Sequence, residues 1–260
     1  MKVILVNEHN LTMVQANSSS SVMALGFFDG IHKGHQQVIK KAKKSSKVRG
    51  LPLAVMSFFP HPKTVFSNQE INYLMPMEQK VQHLKKLGVD IFYIVEFTKT
   101  FAAQTPKTFV EEYLVNLQVK HVVAGFDYTY GAKGAGNVET IAEHSTQLLS
   151  VESVEKYSMY GTKVSSTYLR ELLGNGKVET LAVLLGRPYQ VEYHLQEGLK
   201  AFYTLPADGN YYVTLLCGER AISQVVRVFN QEIQFSQKFH FEELTIVFHQ
   251  SVEHHVQVTS

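Results

Sequence analysis

Four apolar runs of strand length stand in the first half of the chain: VMALG (22–26), LAVMSFF (53–59), VDIFYIVEF (89–97) and VKHVVAGF (119–126). Helix-forming segments separate them: GHQQVIKKAKKSSK (34–47), MEQKVQHLKKLG (77–88) and PKTFVEEYLVNL (106–117). The second of these repeats apolar residues at Val81, Leu84 and Leu87 and carries Gly88 as a stop; the third opens on Pro106. Strands and helices alternating at this spacing predict βαβ units and a parallel sheet. Right-handed crossovers then bring the loops after the strands to one edge, where open α/β sheets bind ligands. The loops at 26–35, 58–66 and 125–136 are expected to meet there. Ahead of them, MKVILVNEHN has an apolar run of only Val3–Val6, too short for a secretory leader, and reads as a buried first strand.

After about residue 190 the texture changes. YYVTLLCG, AISQVVRVF, EIQFSQKFHF, ELTIVFHQSV and VEHHVQVTS are short, β-branched or aromatic, and lack a helical period, so they predict antiparallel strands. SSTYLRELLGNGKVETLAVLLG (165–186) reads as two short helices hinged at Gly174 and Gly176. The expected fold class is therefore α/β: a Rossmann-like domain with a parallel sheet over residues 1–187, then a small antiparallel β-barrel-like domain over 188–260.

Composition narrows the function classes. The 260 residues carry a net charge of only +2, too balanced for wholesale nucleic-acid binding, although a local basic pocket for a small anion stays open. No segment reaches the roughly 20 apolar residues that span a bilayer. Cys217 is the single cysteine, so no intrachain disulfide forms. These features predict a cytoplasmic protein with no membrane and no nucleic-acid partner. The twelve histidines, His254 and His255 included, show no zinc spacing, and no metal site is expected. The oligomeric state is not readable.

The stretch GFFDGIHKGH (26–35) falls at a strand-loop-helix junction. Gly26, Gly30 and Gly34 let backbone amides approach a ligand with no Cβ in the way. Amides at the start of the following helix attract phosphate, and His32 and His35 add donors. No G-K-[ST] follows, and the glycine spacing is not that of the dinucleotide fingerprint. The same residues also fit a tight turn whose histidines face solvent. Further on, Ser165, Ser166 and Thr167 open a helix with Arg170 one turn later, a plausible anion site. Asp127, in GFDYTYG, fits either a ligand contact or an Asx-turn. Lys40, Lys41, Lys43, Lys44, Lys47 and Arg49 read as a solvated helix face, and Gly131, Gly134 and Gly136 as a flexible loop.

These blocks, with FFPHPKTVF (58–66), LKKLGVDIFYIVEFTKTFAAQTPKTFVEEYL (84–114), AGFDYTYGAKGAGN (124–137), VSSTYLRELL (164–173) and LLGRPY (184–189), occur in the order found in the bacterial FAD synthetases. The chain resembles that family over residues 1–189. Its members are nucleotidylyltransferases usually fused to a riboflavin kinase. The resemblance implies adenylyl transfer, in which FMN and Mg²⁺-bound ATP give FAD and pyrophosphate. His32, His35 and Arg170 would be the catalytic residues, the histidines holding the ATP phosphates. Gly26, Phe27, Asp29, Gly30, Gly34, Asp127, Ser165, Ser166 and Thr167 would bind ATP. Phe58, Pro60, His61, Pro62 and Tyr130 match the flavin side, where an aromatic, apolar wall suits an isoalloxazine ring; ordinary core is the alternative for them. Phe59, Thr129 and Tyr168 depart from the family pattern. Two other functions fit the same residues: adenylyl transfer to another phosphorylated small molecule, and flavin or nucleotide binding without catalysis.

In bifunctional members a G-F-P-T-A-N block forms the kinase site. Here Tyr189 leads instead into QVEYHLQEGLKAFYT, with no such block, and only LPADGNYYV (205–213) resembles the family's later strand. The resemblance thus implies a β domain that is a kinase remnant and has no riboflavin kinase activity. Lys200 reads as a surface charge, and Glu242 and Glu243 as carboxylates with no phosphate site to serve.

Overall fold

The computed structural model describes residues 1–67, 71–159, 161–237 and 242–252. Most of the predicted strand VEHHVQVTS, with His254 and His255, lies outside the described residues. By packing, the chain divides into two compact units, residues 1–71 with 77–157, and residues 72–76 with 158–260.

The first unit is a six-stranded, all-parallel sheet. Its strands are β1 (Lys2–Val6), β2 (Ser21–Leu25), β3 (Leu53–Phe59), β4 (Ile91–Glu96), β5 (Val119–Gly125) and β6 (Ser150–Val154), in the order β1-β4-β3-β2-β5-β6. The parallel sheet predicted from the apolar runs is present, with β2 buried along its whole length. Helices α1 (Leu11–Ala16), α2 (Lys33–Arg49), α3 (Pro62–Ser67), α4 (Met77–Lys86), α5 (Lys99–Ala102), α6 (Pro106–Val110) and α7 (Thr140–His144) connect the strands. α6 runs on as one π-helical stretch, Glu111–Val115.

From β2 the chain moves one way, to β3 and β4; from β5 it moves the other way, to β6. The winding therefore reverses between β2 and β5, and at such a switch point the loops part and leave a crevice at the strand ends. Leu25 stands in register with Ala124 on one side and Met56 on the other. The loops after β2, β3 and β5 consequently leave the same edge side by side.

Two expectations need correction. β1 is not a buried strand: it pairs only with β4 at the sheet edge, and Leu5 is 65% exposed while Val6 is buried. An edge strand has one solvated face, so a short apolar run fits both readings. Nor are all the α2 cations merely solvated. Lys43 Nζ donates to the Leu87 carbonyl at 2.7 Å, closing off the turn at Gly88 (φ 81°). Lys41 pairs with Glu152 at 3.0 Å and Arg49 reaches His121 at 3.3 Å. Their charged heads find partners on neighbouring elements.

The second unit contains α8 (Ser166–Gly174), α9 (Val178–Leu185) and six antiparallel strands: β7 (Tyr189–His194), β8 (Gly198–Leu199), β9 (Gly209–Cys217), β10 (Arg220–Phe229), β11 (Glu232–Gln234) and β12 (Glu243–Val252). Their order is β8-β7-β12-β9-β10-β11. Tyr193, near one edge of this sheet, meets Phe235, just beyond the other, with ring centroids 5.4 Å apart. The sheet has therefore curled into a nearly closed barrel, as expected for this half. α8 and α9 lie in this unit, and Glu179 of α9 accepts from the Ser251 amide at 2.6 Å. The sequence boundary at 187 follows the end of the helices, whereas the packing division falls earlier.

Candidate active site

The loop between β2 and α2 is folded by backbone conformations that side chains seldom adopt. Phe28 (φ 53°), Gly30 (φ 77°) and Ile31 (φ 39°) are left-handed, and Phe28 and Ile31 are buried. Strain of this kind costs about 1–3 kcal/mol for each such non-glycine residue and persists only where packing enforces it. The glycines have a role that the sequence did not disclose. A Cβ on Gly26 would lie 2.9 Å from Phe28 Cζ, and one on Gly34 would lie 3.2 Å from His32 Cε1 and Nδ1. These two glycines thus make room for the neighbouring Phe and His rings.

His32 ends the loop as the N-cap of α2, and its Nδ1 accepts from the His35 amide at 3.2 Å. That hydrogen bond requires a lone pair on Nδ1, which puts the proton of the neutral ring on Nε2. The His35 ring stacks on His32, with centroids 3.6 Å apart and planes 18° from parallel, and meets the Phe28 ring edge-on at 5.3 Å. His32 is 4% exposed; His35 is half-buried. Burial, then the His32 and Lys80 charges, pushes the His35 pKa well below the usual histidine range. His35 is therefore neutral at neutral pH, and its Nδ1 is buried without a hydrogen-bond partner. The amides of Lys33 and Gly34 have no intrahelical acceptor, as in any first helical turn. The first turn of α2 carries no acidic side chain. Together these features suit an anion.

The loop after β3 joins it. Ser57 Oγ donates to the Phe27 carbonyl at 2.7 Å, and the Phe27 ring meets His61 edge-on at 4.7 Å. The Phe59–Pro60 peptide is cis, His61 Nδ1 accepts from the Lys63 amide at 3.1 Å, and Pro62 opens α3. Asp29 is fully buried. Beyond β5, Asp127 is exposed and its Oδ1 lies 3.3 Å from where a Cβ on Gly125 would stand. The structure thus brings the predicted residues of the loops after β2, β3 and β5 to one edge of one sheet.

Phe58 and Tyr130 lie within the aromatic core: Phe58 is 5.6 Å from Phe101, and Tyr130 5.2 Å from Phe109. The Tyr130 hydroxyl is held by Thr140 Oγ1 at 3.0 Å and His144 Nδ1 at 2.8 Å. The glycine run after it is packed rather than loose. Cβ atoms on Gly131 and Gly136 would come within 2.7 Å of Pro106 and 2.6 Å of the Tyr130 ring. In the second unit Ser165 caps α8, its Oγ accepting from the Tyr168 amide at 3.3 Å; Ser166 and Arg170 are half-buried and Thr167 is exposed.

The sequence reading missed Lys80. This residue of α4 is 1% exposed, and its Nζ donates to the Phe27 carbonyl at 2.9 Å and to Ser57 Oγ at 3.3 Å. Its one signal was position: it stands one helical turn from the buried Leu84, on the core side of α4. Among the described residues no three His, Cys, Asp or Glu side chains cluster as a metal site, and no helix is long and apolar enough to cross a membrane.

Residues 14–168 match the family model for FAD synthetase. The chain is 44% identical over 207 residues to the bifunctional riboflavin kinase/FMN adenylyltransferase of Listeria monocytogenes, covering 79% of this chain and 66% of that protein. With the protein of the same name from Bacillus subtilis it shares 41% identity, over 74% of this chain and 61% of the relative. The match thus spans somewhat less than two thirds of those bifunctional relatives. The FAD synthetase of Listeria monocytogenes is 31% identical, over 75% of this chain and 81% of its own length. Among solved structures, one titled macrolide-efflux protein from Streptococcus pneumoniae superposes with a TM-score of 0.88 at 26% identity, covering 100% of this chain and 94% of that one. A strand-loop-helix site with paired histidines, and a family match that runs through it, lead to one conclusion: the chain belongs to the FAD synthetase family.

Proposed function

We propose that this protein is an FMN adenylyltransferase. An oxygen of the FMN phosphate attacks the α-phosphorus of ATP, the bond from that phosphorus to the bridging oxygen breaks, and the electron pair leaves with pyrophosphate. The attacking phosphate is already anionic, so no general base is needed, and catalysis is positioning plus stabilisation of charge. Mg²⁺ enters as part of the ATP substrate. The observation that carries this reading is the stacked His32–His35 pair at the start of α2. It offers the His32 Nε2–H, a neutral His35 ring and first-turn amides to a polyphosphate, and the unpartnered His35 Nδ1 is a demand that a ligand meets.

Gly26, Phe27, Asp29, Gly30, Gly34 and Asp127 are assigned to the ATP side, and Phe58, Pro60, His61, Pro62 and Tyr130 to the flavin side, Phe58 and Tyr130 as the support behind exposed contacts. Ser165, Ser166, Thr167 and Arg170 are assigned to the triphosphate by their match to the family block. The barrel is read as the counterpart of a kinase half that has lost its phosphate block. Where that block would stand, the chain makes the short β7–β8 hairpin, and Lys200 pairs with the exposed Glu243 at 3.1 Å.

The test is pyrophosphate release with Mg-ATP and each of FMN, nicotinamide mononucleotide, phosphopantetheine and riboflavin. FMN is expected to yield FAD and pyrophosphate, and riboflavin to yield neither FMN nor FAD. Turnover only with a non-flavin acceptor overturns the flavin assignment. FMN formed from riboflavin in proportion to enzyme overturns the loss of kinase activity.

A further inference from the structure

Lysine is almost never fully buried unless it is paired, yet Lys80 is 1% exposed. α4 has solvated positions for cations, and Lys85 uses one of them. Beside the electrostatic pull of the buried Asp29, the hydrogen bonds of Lys80 go to the loop and to β3 rather than to a carboxylate. Its Nζ donates to one backbone carbonyl, that of Phe27, and to Ser57 Oγ, and lies 4.9 Å from the Phe27 ring centroid. The same carbonyl already accepts from Ser57 Oγ at 2.7 Å. Two donors, one from β3 and one from α4, thus hold a single loop carbonyl three residues before the buried Gly30. An apolar side chain of the same length would fill the space and leave the carbonyl its serine donor.

The ammonium is kept at a cost. Burial lowers the Lys80 pKa to about 8 from 10.5, against the opposing pull of the buried Asp29 carboxylate. What the charge does is visible at His35, which it helps keep neutral. The titratable groups around that imidazole are His32, stacked on its face, and Lys80 from α4. Asp29 acts on Lys80 from the loop, and His61 stands across the Phe27 ring.

We infer that Lys80 is a positioning residue of this site, fixing the backbone of the loop at Phe27 and setting a buried positive charge within electrostatic reach of the His32–His35 pair. The inference rests on the adenylyltransferase reading. Through the carbonyl clamp Lys80 holds the loop in its left-handed turns. Through its charge it keeps His35 in the uncharged form whose single N–H serves as a donor, and it adds to the potential that attracts a polyphosphate.

Lys80→Met and Lys80→Arg separate this role from packing. Methionine keeps the length and removes the charge. K80M is expected to lower FAD formation by about 100-fold, to leave the melting temperature unchanged or raised, and to move the acid limb of the pH–rate profile to higher pH. K80R is expected to keep the wild-type acid limb. Wild-type turnover in K80M with a lowered melting temperature would make Lys80 a packing residue and overturn the inference. If K80M does not fold, a shifted acid limb in K80R overturns it instead. NMR titration of the His35 imidazole gives a readout independent of turnover: its pKa is expected to rise in K80M. An unchanged His35 titration overturns the inference even if the wild type forms no FAD, an outcome that by itself overturns the adenylyltransferase reading.

Discussion

The two ends of α2 each abut a buried or half-buried imidazole, in opposite surroundings. At the C-terminal end His121 is 5% exposed and has a hydroxyl, a guanidinium and a carboxylate around it, although its Nε2, like His35 Nδ1, makes no hydrogen bond. Ser150 Oγ is 2.8 Å from its Nδ1, Arg49 is 3.3 Å from the same nitrogen, and Glu152 is 3.7 Å from its Nε2. Burial raises the Glu152 carboxyl, but Lys41, His121 and Ser45 outweigh it and hold the pKa below the usual carboxylate range. At the N-terminal end His35 has another imidazole on its face, an ammonium within reach, and a buried nitrogen with no partner. Both rings are pushed toward the neutral form, but only one has a carboxylate to oppose the push. An imidazole facing a carboxylate ties elements of the fold together, whereas one with no counter-charge beside it suits an anionic ligand.

Removing both site imidazoles tests this contrast most severely. His32→Ala with His35→Ala is expected to cut FAD formation by about 10³-fold or more, since the pair acts on charge that develops during transfer. His32→Asn alone keeps an N-cap for α2 but loses the donor at the ring's far nitrogen, so it separates capping from chemistry. His121→Ala, measured alongside, is expected to lower thermal stability and leave turnover of the folded enzyme within about threefold. A loss of turnover in H121A comparable with that of the double variant would erase the distinction between the two ends.

Gly34→Ala probes the site end more gently. The backbone there is helical, so alanine favours the helix by up to about 1 kcal/mol. Its Cβ would press the His32 ring at 3.2 Å, displacing the imidazole rather than unfolding the chain. Turnover is expected to fall about tenfold while the melting temperature holds or rises. If turnover is unchanged, the His32 placement is not critical.

Much of this was legible in the sequence, and the rest was hidden for definable reasons. Long apolar runs with Gly and Pro punctuation gave β2 through β5 and the edge where their loops meet. β6, SVESV, was missed because alternating polar residues and an internal glutamate mask its pairing with β5. β7, YQVEYH, was hidden likewise by polar residues at alternate positions of a barrel strand. The histidines of the site were readable because few structures need two imidazoles beside three glycines. Lys80 was not, because a lysine in MEQKVQHLKK looks like its solvated neighbours, and only the turn-spacing to Leu84 separates it from them. Gly26 and Gly34 were found for a different reason from the one that places them: each makes room for a nearby ring, a contact no sequence pattern encodes.

The smallest expected effect lies at the end that holds the carboxylate. Glu152→Gln keeps the shape and removes the charge that faces Lys41 and His121. The carboxylate is one-third exposed, so solvent and salt screen it, and the loss is expected to be about 0.5–1 kcal/mol at pH 8. The pH dependence sharpens the test. The His121 pKa is lowered by burial and by Arg49 while Glu152 pulls it back up. A histidine whose folded pKa is depressed binds fewer protons folded than unfolded, so stability is full above about pH 6.5 and is lost as the pH falls through the folded value. Without Glu152 that value drops further, so E152Q is expected to lose more stability than wild type between pH 8 and pH 5.5. Urea denaturation at the two pH values measures this, and 0.5 M NaCl is expected to shrink the difference. FAD formation by the folded variant is expected to match wild type. A tenfold loss of turnover in E152Q, with stability intact, would mean that the paired end of α2 governs the unpaired one after all.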